Sequence, residues 1–247
     1  MSNDGLGDIE ITKTIEGYRH MIDRKEHAVN AIIRYSKEVK DLNLIFIGPL
    51  TNLALAFRMD PGLKDRIASL TIMGGTYKGI GNITFNTEFN FNQDPEAAHI
   101  VLSAGFPNVT LVPWETCLKT ALQTPEQISK LYDASTPLGQ MHKQSADFMA
   151  GLDEKYILVD GLTAVIIIDE TAILEKFEAR GLVNITPGTC KGALSLNSSK
   201  SMGYQLGLVK EQYGIDISNA KLTVITNIDV DKAIEVISSA KAGLNKI

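Results

Sequence analysis

The stretch TIMGGTYKGIGNITFNTEFNFNQDPEAA, residues 71–98, decides the fold of this chain. It begins within an apolar run, residues 67–73, that is short enough for a buried strand. The run ends at the glycine pair 74–75, where the backbone can adopt conformations closed to other residues. A polar loop then leads to Asp94, a good helix N-cap, and Pro95 suits the first helical position. This order of strand, glycine pair, loop and helix is typical of open α/β sheets, which bind ligands at the carboxyl ends of their strands.

The loop within this stretch is crowded with polar side chains, among them Asn82, Glu88 and Asn90. In an extended segment alternate residues share a face, so Glu88 and Asn90 are expected to point the same way while Phe89 is buried. A carboxylate and a carboxamide on one face form a donor–acceptor pair suited to vicinal hydroxyls. A solvated, Asn-rich loop is the simpler interpretation of any single Asn, but the whole string favours a binding site.

Hydrophobic patterning extends this prediction along the chain. Residues 42–47 are almost unbroken apolar, which is typical of a parallel strand covered on both faces. Apolar side chains recur at helical spacing in residues 26–39. The other predicted elements are strands at residues 109–112, 181–186, 192–196 and 221–226, and helices from residues 53, 124 and 161, at 137–152 and at 230–242. We therefore expect an open, mostly parallel sheet flanked by helices, in one domain of residues 1–247.

Composition narrows the class of protein. A chain of 247 residues with 44% hydrophobic side chains can bury one large core. The net charge of −5 provides no excess of positive charge for binding a nucleic acid polymer or an anionic membrane. Cys117 and Cys190 lie far apart without metal-ligand spacing, which indicates reduced, buried thiols in a cytoplasmic protein. We expect no membrane span, because no apolar run is long enough and no charged-then-apolar leader opens the chain.

Several residues near the ends of predicted elements have two competing interpretations. Thr51 lies between a predicted strand and a predicted helix, and threonine is a favoured N-cap residue, so propensity predicts that Thr51 caps the helix. Asp160 precedes an apolar helix, where an aspartate is usually an N-cap. This helix is expected to be buried, however, and a carboxylate at its start is costly unless it is paired or bound to a cation. Trp114 ends a strand, and core packing is a simpler interpretation than stacking on a nucleobase. Asp4 and Asp8 are spaced with glycines as in calcium loops, but no strand precedes them to fix their geometry.

Four motifs taken together resemble one enzyme family. They are IGPLTNLA at residues 47–54, MGG at 73–75, GN at 81–82 and EFNxxxDPEAA at 88–98. In this order and at this spacing they resemble the inosine–uridine-preferring nucleoside hydrolase family. The resemblance extends from about Asp4 nearly to the C-terminus, and it implies a nucleoside hydrolase-like fold.

The resemblance implies cleavage of a nucleoside by water to give ribose and free base. The ribose hydroxyls would be held by Asn82, Glu88 and Asn90, with Met73 lining the sugar pocket. Cleavage of an N-ribosidic bond passes through an oxocarbenium-like sugar, which calls for a positioned water and a base to activate it. Relatives commonly form dimers or tetramers, so a homodimer or homotetramer is expected.

The resemblance also implies a calcium ion that binds the attacking water and the ribose diol. Its ligands in this chain would include the backbone carbonyl of Thr51 and the carboxylate of Asp160. Calcium is coordinated by about six to eight oxygens, typically with several carboxylates, so these two ligands leave the site incomplete.

Two departures from the family pattern bear on activity. The family's first strand and its aspartate-rich turn, D-x-D-x-x-x-D-D, have no counterpart in this sequence. The catalytic base is therefore unassigned, the sheet is expected to lack its N-terminal strand, and residues 42–47 would present an unpaired apolar edge. Val159 stands where many members place a histidine as leaving-group acid, which favours purine nucleosides.

Three hypotheses about function follow. The first is a nucleoside N-ribohydrolase, present here as an incomplete chain or a shortened form. The second, from a different class, is a catalytically silent nucleoside-binding or assembly protein that kept the ribose loop and lost the metal site. The third is an unrelated α/β protein.

Overall fold

The computed structural model describes residues 25–122, 124–131, 140, 143–144, 156–199, 207, 210–212, 218 and 220–244. These residues group into two compact units. The larger unit consists of Glu26–Lys119 and Ile173–Ile228, and the described parts of Thr120–Ala172 and Asp229–Ile247 belong to the smaller unit. The single domain expected for residues 1–247 stays a prediction.

The larger unit is built on a six-stranded sheet. Strands are numbered in chain order, and β4 and β5 belong to the smaller unit. The strands of the larger unit are β1 (Leu42–Phe46), β2 (Ile67–Met73), β3 (Val109–Val112), β6 (Ile173–Val183), β7 (Leu194–Asn197) and β8 (Lys221–Ile228). They lie in the order β1-β2-β3-β8-β6-β7. Pairing is parallel from β1 through β2 and β3 to β8, and β6 runs antiparallel to both β8 and β7. The predicted open, mostly parallel sheet is confirmed.

The larger unit has five described helices, of which α2 connects β1 to β2 and α3 and α4 connect β2 to β3, as βαβ units require. They are α1 (Ala28–Glu38), α2 (Thr51–Met59), α3 (Phe89–Gln93), α4 (Pro95–Ser103) and α5 (Trp114–Lys119), with a short 3-10 helix at Pro61–Asp65. Helices α2 and α4 contribute Leu53, Ala56 and Val101 to a core shared with Leu70 and Leu111 of the sheet. Burial of this apolar face, more than helix propensity, holds such short helices in place.

Strand β1 lies at one edge of the sheet within the described residues, and it is covered on one face only. Leu44 and Phe46 pack against the core, whereas Asn43 is exposed and the side chain of Ile45 is 43% exposed. The expectation of a strand buried on both faces was wrong, because a run of apolar residues does not show whether other elements cover both faces of a strand.

The described part of the smaller unit contains short strands and helices. Its described elements are β4 (Ala121–Leu122), β5 (Tyr156–Ile157), α6 (Pro125–Ser129), α7 (Gly161–Ile168), a 3-10 helix at Glu170–Ala172 and α8 (Val230–Leu244). Strands β4 and β5 pair antiparallel. Helix α6 begins with a capping box in which Thr124 and Gln127 each satisfy the other's backbone N–H. The helix predicted at residues 137–152 lies largely outside the described residues. Asp4 and Asp8 also lie outside them.

Two further predictions concern single residues and membrane segments. Cys117 is buried, but Cys190 is exposed, so the expectation of two buried thiols was wrong for Cys190. Both cysteines are free thiols. Within the described ranges, no helix combines the length and apolar character needed to cross a bilayer.

Candidate functional site

The glycine pair after β2 brings the following loop and helix close to the strand. Gly75 has a φ of +69°, a left-handed conformation that glycine adopts without strain. A Cβ added at Gly74 would lie 2.7 Å from the ring of Phe91, and one at Gly75 would lie 2.9 Å from it. The side chain of Phe91 is 0% exposed, so only glycines allow the chain to pass this ring.

Glu88 is the central polar residue of this arrangement. Its carboxylate is buried, at 2% exposure. Oε2 accepts hydrogen bonds from the N–H groups of Gly75 at 2.9 Å and Phe91 at 3.2 Å, and Oε1 accepts one from Asn90 at 2.8 Å. Glu88 is therefore the N-cap of α3 and also ties this helix to the end of β2.

The local conformation differs from the sequence-based expectation. Residues 89–93 form helix α3 rather than an extended segment, so alternation of faces does not apply. Phe89 is 48% exposed and Phe91 is fully buried, the reverse of the predicted burial of Phe89. The physical reason is the space above Gly74 and Gly75, which Phe91 fills.

Asn90 and Met73 meet directly beside Glu88. Nδ2 of Asn90 donates to the backbone oxygen of Met73 at 3.2 Å and lies 3.3 Å from its sulfur. Both residues are buried, at 8% and 1% exposure. Oδ1 of Asn90 accepts no hydrogen bond from any residue in the described part of the chain. The structure thus brings together Met73, Glu88 and Asn90 and leaves one amide oxygen available as an acceptor.

Asn82 joins the same arrangement from the loop. Its Oδ1 accepts a 2.8 Å hydrogen bond from the N–H of Phe89, the first residue of α3. The backbone N–H of Asn82 donates to the oxygen of Thr87 at 3.1 Å, which closes the loop on itself. Asn82 is exposed, so the residue lies at an accessible surface beside the start of the helix.

Glu115 is a polar residue that sequence reasoning missed. It lies in the first turn of α5 and is 4% exposed. Its carboxylate accepts hydrogen bonds from the N–H groups of Tyr77, Lys78 and Ile80. Because these donors lie more than 30 residues away in sequence, the only local signal was that of an ordinary acidic residue near a helix start.

Thr51 follows β1 and lies at the same end of the sheet as the end of β2, because the two strands are parallel. It is the first residue of α2 and Leu50 is the N-cap, so the N-cap interpretation was wrong by one position. The Thr51 hydroxyl instead donates to Oδ2 of Asp94 at 2.5 Å. Thr51 is therefore linked to the motif that begins at Glu88 through Asp94, which separates α3 from α4.

Asp160 lies in the smaller unit, immediately before α7. Its side chain makes no capping hydrogen bond, and its backbone oxygen accepts from the Thr163 hydroxyl at 2.6 Å. Partial burial raises the pKa of the Asp160 carboxyl above its ordinary value. The predicted convergence of Asp160 with Thr51, Glu88 and Asn90 stays a prediction.

The donor set does not by itself form a metal site. Across the part of the chain that the structure describes, no three His, Cys, Asp or Glu side chains come together to hold a metal ion. A calcium ion takes about six to eight oxygen ligands, commonly including several carboxylates. The described residues therefore do not fit a complete calcium site, and we assign no reaction step to a metal.

Comparisons with known proteins bear on both sequence and fold. The model of the inosine-uridine preferring nucleoside hydrolase family matches residues 1–235. Pyrimidine-specific ribonucleoside hydrolase RihB of Shigella sonnei is 37% identical over 123 residues, which are 49% of this chain and 38% of that protein. A putative RihB of Shigella boydii, also 37% identical, is matched over 50% of its length. The chain thus spans half or less of the curated relatives it matches.

Solved structures share the fold over nearly the whole chain. An inosine-guanosine nucleoside hydrolase superposes with a TM-score of 0.76 at 22% identity, covering 96% of this chain and 73% of that one. A purine-preferring ribonucleoside hydrolase from Gardnerella vaginalis gives 0.72 at 25% identity, covering 96% and 71%. These likenesses confirm the predicted fold class. Since the family model matches 1–235 of 247 residues, this chain belongs to the inosine–uridine-preferring nucleoside hydrolase family.

Proposed function

We propose that the protein is a nucleoside N-ribohydrolase, which converts a nucleoside and water to ribose and free base. The observation that carries this proposal is the buried cluster of Met73, Glu88 and Asn90 after β2, to which Asn82 is linked through the start of α3. Family membership supports the same reaction class.

The chemistry of these side chains suits a ribose ring. Each hydroxyl of a vicinal diol both donates and accepts, so the diol needs donors and acceptors side by side. Oδ1 of Asn90 supplies an acceptor and Nδ2 of Asn82 supplies a donor, while each amide's other atom is held by the protein. Because those second contacts fix the rotamers of both amides, the sugar would be bound by groups that are already oriented.

Glu88 has a second role in this proposal. Three backbone N–H groups fix the position of its carboxylate in a buried environment. A positive charge develops on the ribose ring as the N-glycosidic bond breaks. A negative charge held nearby in a low-dielectric site stabilises that state more than it stabilises the neutral nucleoside.

Calcium dependence is the part of the proposal that rests on family resemblance. The backbone carbonyl of Thr51 and the carboxylate of Asp160 are the residues we propose as ligands. The uncapped side chain of Asp160 supports this assignment, because a carboxylate at a helix start usually caps it. The general base is unassigned, and no leaving-group acid is assigned at Val159.

Three finer properties belong to the same proposal. Val159 in place of a histidine favours purine nucleosides, whose ring nitrogens are more easily protonated. The names of the relatives include both a pyrimidine-specific and a purine-preferring enzyme, so they support neither base class alone. We also propose a cytoplasmic location and a homodimer or homotetramer.

The rival function is a catalytically silent nucleoside-binding or assembly protein. The lack of a metal-binding cluster among the residues that the structure describes favours it. Release of ribose from inosine and from uridine, with and without calcium, separates the two. Hydrolysis supports the enzyme, whereas nucleoside binding without turnover supports the silent protein.

A pair of variants tests whether Asn90 contributes to the proposed nucleoside site. Asn90→Ala removes the amide that contacts Met73, and we expect a loss of about 100-fold in kcat/KM, or in nucleoside affinity if there is no turnover. Asn30→Ala is the matched control, because Asn30 is an exposed residue of α1 in the same unit. Equal activity or affinity of both variants would contradict the proposed site.

A further inference from the structure

Glu115 is a buried carboxylate that the proposed reaction does not use. Its Oε1 accepts from the N–H groups of Lys78 at 2.8 Å and of Ile80 at 3.1 Å. Both carboxylate oxygens accept from Tyr77, at 3.1 and 2.9 Å. One side chain of α5 therefore satisfies three backbone donors of the loop that follows β2.

The backbone of this loop is shaped to surround the carboxylate. Gly79 has a φ of +73°, which reverses the chain between Lys78 and Ile80 so that their N–H groups point at the same oxygen. Successive N–H groups in such a turn form a concave anion-binding site, often called a nest. Here the anion is supplied by the protein itself, from a residue more than 30 positions away.

The clamped segment is coupled to Asn82 by a second set of contacts. The N–H of Gly81 donates to Phe85 at 3.0 Å, and that of Asn82 donates to Thr87 at 3.1 Å. A Cβ at Gly81 would lie 2.2 Å from the oxygen of Thr84, so the loop closes tightly at this glycine. Only Gly81 separates the clamped Ile80 from Asn82, which leaves little freedom between them.

We infer that Glu115 is a positioning residue that holds the loop of residues 77–87 so that Asn82 is presented to the ribose. The inference rests on the proposed function for the role of Asn82, but the clamp itself is independent of it. Glu88, directly after this loop, accepts a hydrogen bond from the N–H of Gly75, which lies just before it. Two buried carboxylates therefore hold the same segment in place. Without Glu115, three N–H groups would lose their acceptor and the loop would open to water.

Amide hydrogen exchange tests the clamp. In Glu115→Gln, an amide NH₂ group replaces one acceptor oxygen, and we expect exchange of the Tyr77, Lys78 and Ile80 amides to accelerate by about tenfold or more. Glu175→Gln, an exposed acid on β6 in the same unit, is the control and should leave these rates unchanged. Unchanged exchange in folded Glu115→Gln would overturn the inference.

A second variant covers the case in which Glu115→Gln does not fold. Gly79→Ala keeps the buried charge, and its Cβ would approach nothing closer than 3.9 Å, but the φ of +73° is strained for alanine. The strain should turn the Ile80 N–H away from Glu115 and accelerate the same exchange. Protection equal to that of the wild-type chain in Gly79→Ala would count against the clamp.

Kinetics test the link to substrate. Glu115→Gln is expected to lower kcat/KM for inosine by about tenfold, and Glu115→Asp, which keeps the charge, should recover part of the loss. A loosened loop with unchanged kcat/KM would overturn the positioning role. If the wild-type chain neither binds nor hydrolyses nucleosides, the proposed function fails, while the exchange experiment still decides whether Glu115 holds the loop.

Discussion

The hydroxyl of Thr51 donates a 2.5 Å hydrogen bond to Oδ2 of Asp94, across 43 residues of sequence. The other oxygen of Asp94 accepts from the N–H of Ala97 at 3.0 Å and caps α4. One carboxylate therefore joins the start of α2 to the start of α4. This contact holds the loop after β1 against the segment that contains Glu88 and Asn90.

Thr51→Val should destabilise the protein by about 1–2 kcal/mol, because Asp94 loses a partner inside a partly buried contact. Thr51→Ser keeps the hydroxyl and is the matched control. Chemical denaturation of the two variants measures the difference. Equal free energies of unfolding would show that the Thr51–Asp94 contact adds nothing.

Gly75→Ala should cost about 2 kcal/mol or more in stability. The substitution combines a φ of +69° with a Cβ only 2.9 Å from the Phe91 ring. Gly48→Ala is the control, since nothing lies within 4 Å of a Cβ there. Thermal unfolding should separate the two variants clearly, and similar melting temperatures would contradict the packing described for Phe91.

Stability at acid pH should depend on Asp60. Its pKa is lowered by the hydrogen bond with Lys37 and then by that with Arg66, with nitrogen–oxygen distances of 3.1 and 2.7 Å. Because the folded-state pKa is depressed, the contribution is present above the ordinary pKa of a carboxyl and is lost as pH falls through the lowered value.

Asp60→Asn removes this titration. Below about pH 4, the free energy of unfolding of the wild-type chain should therefore fall more steeply with pH than that of the variant. Urea denaturation across the acid range measures both slopes. Asp65→Asn, at an exposed position in the same 3-10 helix region, should behave like the wild-type chain. Parallel curves for Asp60→Asn and the wild-type chain would refute the prediction.

Calcium at about 1 mM should raise the melting temperature if the chain holds the proposed ion, because a ligand of the folded state stabilises it. Asp160→Asn should remove most of this increase, since it replaces the proposed carboxylate ligand. Glu126→Gln alters an exposed acid in the smaller unit and should keep the increase. An unchanged melting temperature of the wild-type chain in calcium would contradict the calcium proposal and favour the catalytically silent protein.

Elements whose signals are local were predicted well. Strand β2 spans Ile67–Met73 as expected, and Asp94 caps a helix with Pro95 in its first turn. The capping box at Thr124 also matches its sequence pattern. Each of these signals lies within a few residues of the structure it specifies, so no knowledge of the rest of the chain is needed.

For the candidate site residues, the sequence predicted proximity better than conformation. Met73, Glu88 and Asn90 do meet, but in a capped helix rather than an extended segment. Phe89 was wrongly predicted to be buried, because burial depends on which residues face a side chain in the fold. Here Gly74 and Gly75 leave space for the ring of Phe91 instead. Glu115 was missed for the same reason, since its three donors come from a distant loop.

Outside residues 89–93, local patterning was thus sufficient for the mostly parallel sheet, its flanking helices and the polar loop that carries the candidate ribose contacts. Long-range packing was required to choose which aromatic ring is buried, to make Thr51 a partner of Asp94, and to turn Glu88 and Glu115 into clamps. Hydrophobic period and capping act between near neighbours in the chain. The acceptors of buried N–H groups, in contrast, are supplied by whichever segment the fold brings alongside.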